Sequence, residues 1–204
     1  RAYLQRSANA YGTDISMYLE EACPIICRGR VWQGDLGRPY DEWLSRKPDV
    51  APDKYDLVTC VECLEHIFPW RVPTAVNNLA RVTDELLYLT IPCGSAWDKN
   101  LEHTTIRDVP WWRDKFEMFA PNLKQREDLE QRCQEISVET VPISDKQIIP
   151  FKVWGWQPFI YEKVHGFDES ACALALDVAH REYLDGEELY EKGEAQYDGV
   201  EEAR

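Results

Sequence analysis

The fold is decided by residues 55–92, in which the runs YDLVTCVE at 55–62 and LLYLTI at 86–91 flank a helical segment. Both runs are nearly continuous apolar stretches with a β-branched bias, which is typical of central strands covered on both faces. The segment between them carries apolar residues near helical spacing: Val72, Val76, Leu79, Ala80 and Val82. Strand, helix and strand in this order predict a crossover unit with parallel strands.

Two shorter strands precede this unit, at residues 8–15 and 31–36, each ending beside an acidic residue. A short helix is predicted at 16–22 and a helical turn at 41–47. Repetition of the unit from residue 8 to residue 92 predicts an α/β fold with a mostly parallel sheet and helices on both faces.

The pattern changes after residue 92. Strands are predicted near 136–143 and 159–164 without a convincing helix between them, which favours an antiparallel C-terminal pair. Residues 170–189 read as an amphipathic helix. We therefore predict one domain over residues 1–165, followed by a C-terminal helix and acidic tail over residues 166–204.

Composition and charge narrow the classes of function. The 204 residues are 44% hydrophobic and 29% charged, as in soluble globular proteins, and no apolar run approaches the length of a membrane span. The net charge of −14 repels phosphate backbones, so nucleic acid is a disfavoured partner. We expect a cytoplasmic protein with a small-molecule substrate and no membrane partner, while the oligomeric state is not indicated.

Cysteine usage favours a reducing compartment, because seven is an odd number and the spacing is not that of a secreted scaffold. Cys60 and Cys63 form a C-x-x-C pair, but no second cysteine pair stands at zinc-ligand spacing. We therefore interpret them as core thiols and predict no metal site.

Acidic residues follow three of the predicted strands: Asp14, Asp35 and Glu62. Ligands of an open parallel sheet bind beyond the carboxyl ends of its strands. A carboxylate there can accept both hydrogen bonds of a ribose diol, for which Asp14 is the candidate, while Asp35 could accept from an adenine amino group. Each acid alone could equally cap local backbone; their ordered recurrence favours a nucleoside site.

These residues belong to a larger set of motifs: YGTDIS at 11–16, GDL at 34–36, YDLVTCVECLEHI at 55–67, NLARV at 78–82 and LYLTIP at 87–92. In this order the set resembles the successive motifs of class I S-adenosylmethionine-dependent methyltransferases, and most closely the UbiE/UbiG-like, type 11 group. The resemblance spans residues 8–116 and implies a Rossmann-like methyltransferase fold.

The resemblance implies S-adenosylmethionine as cofactor and S-adenosylhomocysteine as product. It assigns Asp14 to the ribose hydroxyls and Ile15 to packing on the adenine, with Asp35 and Leu36 at the adenine edge. Cys60, Val61 and Glu62 would line the methionine end of the cofactor. The turn at Leu64, Glu65 and His66 is expected to shape the floor between cofactor and substrate.

The family's first motif is a strand ending in a glycine-rich loop, expected about 20 residues before the ribose-binding acid. The strand that carries Asp14 corresponds to the second strand of the family, and only residues 1–10 precede this motif here. We therefore expect this sequence to lack the family's first strand and loop. This departure motivates an alternative hypothesis, a catalytically inactive methyltransferase-like module that serves as a binding partner or scaffold. A nucleotide-sugar or dinucleotide enzyme is a third hypothesis, because it shares the ribose-binding acid.

The resemblance places the substrate side in the loop after the fifth strand of the family, residues 92–112. His103 is the candidate general base, because its reference pKa of about 6.5 suits proton removal from a hydroxyl or amine. The alternative is a histidine that fixes the loop, and methyl transfer needs mainly alignment rather than a base. The predicted substrate-binding residues are Trp97, Asp98, His103, Trp111 and Trp112, although buried packing is the alternative for both members of the tryptophan pair.

Overall fold

The computed structural model of the chain comprises two compact units, one ending at Lys54 and the other starting at Tyr55. The sequence-based boundary between residues 165 and 166 is a different division and stays a prediction. In the part of the chain that is described, no helix is long and apolar enough to cross a membrane. The structure describes residues 9–94, 102–140, 142–144, 147–148, 156–168 and 173–192.

The first unit contains two short parallel strands with helices after each. Strand β1 pairs with β2 so that Gly12 lies opposite Val31 and Asp14 lies opposite Gln33. Trp32 and Trp43 are buried and form the core of the unit. The predicted strands and helices are present but shorter than expected: β1 Gly12–Asp14, α1 Leu19–Ala22, β2 Val31–Gln33 and α2 Tyr40–Trp43.

The second unit opens with the crossover that residues 55–92 predict. Strand β3 (Tyr55–Val61), helix α3 (Val72–Val82) and strand β4 (Thr83–Pro92) follow one another, and β3 pairs with β4 in parallel. Helix α3 ends where the Thr83 hydroxyl donates a hydrogen bond to the Leu79 carbonyl. The apolar residues that predicted α3 are buried in the structure, so the predicted packed face is confirmed.

The sheet of this unit is mixed, with the strand order β3-β4-β8-β5. Strand β8 (Trp156–Lys163) is antiparallel to both β4 and β5 (Leu123–Gln125). The expectation of a mostly parallel sheet is therefore wrong for this unit, although its α/β character is confirmed. Strand β3 ends the order, and Leu57 and Val61 on it are about half exposed. The expected covering of both faces is not found.

The strand predicted at 136–143 is wrong. Helix α5 (Glu127–Thr140) occupies most of that segment and follows α4 (Val109–Phe119), and strands β6 (Pro142–Ser144) and β7 (Gln147–Ile148) form a hairpin after it. Acidic residues in the first turn of α5 complement the helix dipole at its N-terminal end. The predicted strand at 159–164 is confirmed as the second half of β8, with β4 and β5 as its partners.

The C-terminal helix α6 (Ala173–Glu191) is confirmed, and it is attached to the turn before α3. Glu187 accepts hydrogen bonds from the Trp70 indole, at 2.9 Å, and from the Arg71 guanidinium. Gly186 lies flat against Trp70, since a Cβ there would come within 2.1 Å of the indole. Glu187 therefore holds α6 to this turn, a contact that the sequence did not predict.

Candidate functional site

Asp14 is the last residue of β1, and its side chain is exposed. Its Oδ1 atom accepts a hydrogen bond from the Ser16 backbone amide at 2.8 Å. The capping role that the sequence left open is therefore observed. Ile15 beside it is 67% exposed, like the nearby Met17 and Tyr18.

Asp35 lies two residues beyond the end of β2 and is partly buried. Its Oδ1 atom accepts from the Gly37 amide at 2.9 Å, and its Oδ2 atom is 3.7 Å from Nε of Arg38. Leu36, next to it, is half-buried in the same turn. The preceding Gly34 is required by its surroundings, because a Cβ would lie 2.6 Å from the Trp43 carbonyl oxygen. Close packing against Trp43 thus explains why the GDL motif begins with a glycine, which the sequence alone did not indicate.

The two acids share one edge of one strand pair. Strands β1 and β2 run in parallel, so their carboxyl ends point the same way, and the Gly34 amide donates to the Asp14 carbonyl at 2.9 Å. Asp14 and Asp35 therefore both follow this edge, where ligands of parallel sheets bind. This arrangement is what the nucleoside hypothesis requires.

The end of β3 carries the residues that the resemblance assigns to the methionine part of the cofactor. Cys60 is buried, whereas Val61 and Glu62 are exposed. Glu62 has a φ of 49°, a left-handed conformation that is uncommon for a residue other than glycine, and its amide donates to the Thr90 carbonyl at 3.0 Å. Backbone strain of this kind is enriched at functional sites.

A cluster of three side chains lies just after this strand end. One potential ligand atom from each of Glu65, His66 and His103 lies within 4.8 Å of the other two. The rings of His66 and His103 contact each other edge to face, with centroids 4.6 Å apart. Sequence reasoning identified His103 but gave Glu65 and His66 only a structural role. We call these three residues the Glu-His-His cluster.

Two backbone segments hold the Glu-His-His cluster together. The carbonyl of Glu65 accepts hydrogen bonds from the amides of Thr104 and Thr105, both at 2.9 Å. The Thr105 hydroxyl donates to the Ile67 carbonyl at 2.5 Å. The LEH turn is thereby fixed against the loop that carries His103, which explains how residues so distant in sequence meet.

Thiols near the cluster stay protonated. The hydrogen bond with Cys63 and burial raise the pKa of Cys60 well above its ordinary value. Burial, followed by the charges of Asp108 and Glu65, raises the pKa of Cys93 to about 12. Cys60 therefore behaves as a core thiol, as the sequence interpretation expected, and Cys93 has the same character.

The predicted substrate-binding tryptophans have different environments. Trp112 is fully buried in α4, so the packing alternative describes it and it has no surface for stacking on a ligand. Trp111 is half-buried, with Arg107 and Lys115 over its ring at 5.5 and 5.2 Å. The ring therefore already has cationic partners, and whether it also stacks on a substrate stays a prediction. Trp97 and Asp98 lie outside the described residues, so their assignments stay predictions.

No protein-family model and no curated protein matches the chain. Among solved structures, it is similar to a S-adenosylmethionine-dependent methyltransferase from Archaeoglobus fulgidus, with 14% identity, a TM-score of 0.49 and 79% of each chain covered. It is also similar to magnesium protoporphyrin IX methyltransferase from Synechocystis with bound S-adenosylhomocysteine, with 14% identity and a TM-score of 0.46 over 78% of this chain. The chain spans 66% of that protein's length, just under two thirds. Methyltransferases are therefore among the structures that this chain resembles.

Proposed function

We propose that this chain transfers a methyl group from S-adenosylmethionine to an oxygen or nitrogen atom of a small molecule. The observation that carries the proposal is the shared carboxyl edge of β1 and β2, which Asp14 and Asp35 both follow. Acids at this edge are suited to the adenosine half of the cofactor, because a nucleoside presents hydroxyl and amino donors but no charge of its own.

The local chemistry around the edge supports this assignment. The Asp14 carboxylate uses Oδ1 to hold the Ser16 amide, and its Oδ2 atom is the candidate acceptor for a ribose hydroxyl. The exposed side chain of Ile15 offers an apolar surface for an adenine ring. Asp35 and Leu36 would meet the adenine edge. The assignment of Cys60, Val61 and Glu62 to the methionine end rests on the sequence resemblance.

The reaction itself asks little of the protein beyond alignment. A lone pair of the acceptor attacks the sulfonium methyl group, the bond between carbon and acceptor forms, and the bond between carbon and sulfur breaks to release S-adenosylhomocysteine. The acceptor loses its proton in the course of the reaction. We assign the acceptor to the neighbourhood of His103, where a histidine with a near-neutral reference pKa could receive that proton.

Calorimetric titration with S-adenosylhomocysteine tests the cofactor assignment. Asp14→Asn retains an oxygen for the Ser16 amide but loses the charged acceptor, so we expect about 10- to 100-fold weaker binding, the usual loss for a hydrogen bond to a charged group. Asp41→Asn is the matched control, since Asp41 is exposed in α2 of the same unit, and it should bind as the parent chain does. Equal affinity for all three proteins would refute the role of Asp14.

A second measurement separates the enzyme from the inactive module. Labelled S-adenosylmethionine is incubated with the chain and a metabolite extract, and transfer of label to small molecules is expected. Cofactor binding without any transfer would favour the inactive module, and absence of binding would refute the enzyme hypothesis while leaving the module that binds no cofactor.

A further inference from the structure

We propose that Glu65, His66 and His103 form a binding site for one divalent transition-metal ion. Their ligand atoms lie within 4.8 Å of one another, although the residues come from two separate segments of the chain. Two histidines and one carboxylate are the donor set of many zinc and non-haem iron sites that keep positions open for a substrate. The prediction of no metal site depended on cysteine spacing alone, and this site contains no cysteine.

His66 is already oriented as a ligand. Its Nδ1 atom donates a hydrogen bond to the Glu102 carbonyl at 3.1 Å, which fixes the proton on Nδ1 and leaves the Nε2 lone pair for coordination. Metal-binding histidines characteristically donate their other ring N–H to a carbonyl or carboxylate in this way. The hydrogen bond therefore supplies an observation independent of the clustering itself.

Glu65 contributes a carboxylate to the site from a fully buried position. Buried carboxylates are commonly found paired with or coordinated to cations, so the residue type and its burial fit an ion ligand. The hydrogen bonds from Thr104 and Thr105 to the Glu65 carbonyl hold its backbone against the loop of His103. Both segments are thus fixed before an ion arrives.

The geometry favours zinc-like ions over magnesium or calcium. Ligand atoms about 2.0–2.1 Å from a tetrahedral ion lie about 3.3 Å apart. The separations between the three ligand atoms would therefore have to shrink by at most about 1.5 Å from 4.8 Å, which small side-chain rotations can supply. Imidazole nitrogen suits Zn²⁺, Fe²⁺, Co²⁺ and Ni²⁺, whereas Mg²⁺ and Ca²⁺ prefer oxygen ligands. Three protein ligands leave at least one position for another molecule.

The use of this ion in catalysis rests on the proposed function. A bound cation would take the acceptor oxygen as a further ligand and lower the pKa of its hydroxyl group. The proton leaves to solvent, the oxygen attacks the sulfonium methyl group, and S-adenosylhomocysteine departs. His103 is then a ligand, and the cation replaces it in promoting loss of the acceptor proton.

Metal binding is measured directly on the untagged, EDTA-treated chain. Titration with Co²⁺ should produce a visible d–d absorption band that saturates at one ion per chain. One equivalent of Zn²⁺ should displace the Co²⁺ and abolish the band. His66→Ala and His103→Ala should each weaken Zn²⁺ binding by more than about 100-fold, since even outer partners of a ligand are worth 10- to 100-fold. His165→Ala is the control, because His165 is exposed and bonded to its neighbour Gly166.

The outcomes are separable from those of the cofactor titration. Absence of the Co²⁺ band in the parent chain overturns the metal site, whatever the result with S-adenosylhomocysteine. A band that survives in both histidine variants also overturns it. Circular dichroism and S-adenosylhomocysteine binding, measured on each variant, show whether the fold is retained. If His103 acts instead as a base, EDTA leaves methyl transfer unchanged while His103→Ala still reduces it.

Discussion

Single residues at the ends of β1 and β2 perform local backbone tasks that are compatible with ligand binding. Asp14 holds the Ser16 amide and Asp35 holds the Gly37 amide, in each case through Oδ1. Such a hydrogen bond restricts the side-chain rotamer, so the carboxylate is already oriented when a ligand arrives. Capping and binding were alternatives in the sequence; the structure shows the hydrogen bonds to backbone, and these are compatible with the proposed binding.

Cys93 makes a test of electrostatics at the same scale. Its pKa is raised to about 12, so nearly all of it is thiol at pH 8. Alkylation requires the thiolate, and the thiolate fraction at pH 8 is roughly a thousandfold smaller than for a cysteine with the reference pKa of about 8.5. We expect slow labelling of Cys93 by iodoacetamide at pH 8, with the rate rising about tenfold per pH unit towards pH 11.

Site-resolved mass spectrometry measures this rate, and the same residue in the urea-unfolded chain is the control. The unfolded chain should label rapidly at pH 8 and show little further increase above pH 9.5. Rapid labelling of Cys93 in the folded protein at pH 8 would contradict the burial and the neighbouring charges that raise its pKa.

At the scale of elements, the sequence predicted those whose signal is periodic. The apolar spacing of α3 and the β-branched runs of β3 and β4 are local, and the structure confirms all three elements. The prediction for 136–143 failed because its β-branched residues mimic a strand, whereas most of the segment continues the helix that begins at Glu127. The mixed sheet was not predictable, because strand pairing depends on contacts between distant residues.

The same limit applies to the candidate site. Asp14 and Asp35 were identified because acids at strand ends follow a rule that is visible in sequence. The Glu-His-His cluster was not, since His66 and His103 meet only through hydrogen bonds between the LEH turn and a loop 36 residues further on. No spacing rule covers such a pair.

The attachment of α6 leads to a prediction about an element. Arg71 and Glu187 form an ion pair whose side chains are 11% and 17% exposed, so its removal leaves a largely buried charge without its partner. Glu187→Ala should therefore lower the free energy of unfolding by about 3 kcal/mol and make α6 sensitive to protease. Urea denaturation and limited proteolysis measure the two effects.

The neighbouring Glu188 is the matched control for this change. It pairs with Lys192 one turn along the exposed face of α6, where solvent screens the interaction. Glu188→Ala should leave stability and protease resistance nearly unchanged. Equal effects of the two substitutions would contradict the prediction, because the contact of Glu187 with Trp70 and Arg71 would then contribute no more than an exposed ion pair.

At the scale of the whole molecule, the net charge is compatible with the proposed class of substrate. The unit ending at Lys54 carries the acids assigned to an uncharged nucleoside, and the unit starting at Tyr55 carries the Glu-His-His cluster. With 37 acidic and 23 basic residues, the chain as a whole repels polyanions. A small acceptor molecule that has no phosphate backbone would not experience this repulsion.

This repulsion predicts that the chain does not bind nucleic acid, and the dependence of binding on salt concentration tests the prediction. Proteins that bind nucleic acid through a basic patch bind more tightly as salt falls, because counterions are released from the phosphates. For a chain of net charge −14, lower salt extends the repulsion from a Debye length of about 10 Å at 0.1 M to about 30 Å at 0.01 M. We expect no binding of a labelled DNA or RNA duplex by fluorescence anisotropy at either salt concentration, with protein up to about 100 µM, the weak end of non-specific affinities. A basic DNA-binding protein serves as the positive control, and saturable binding that strengthens at low salt would show a local cationic surface that overrides the net charge.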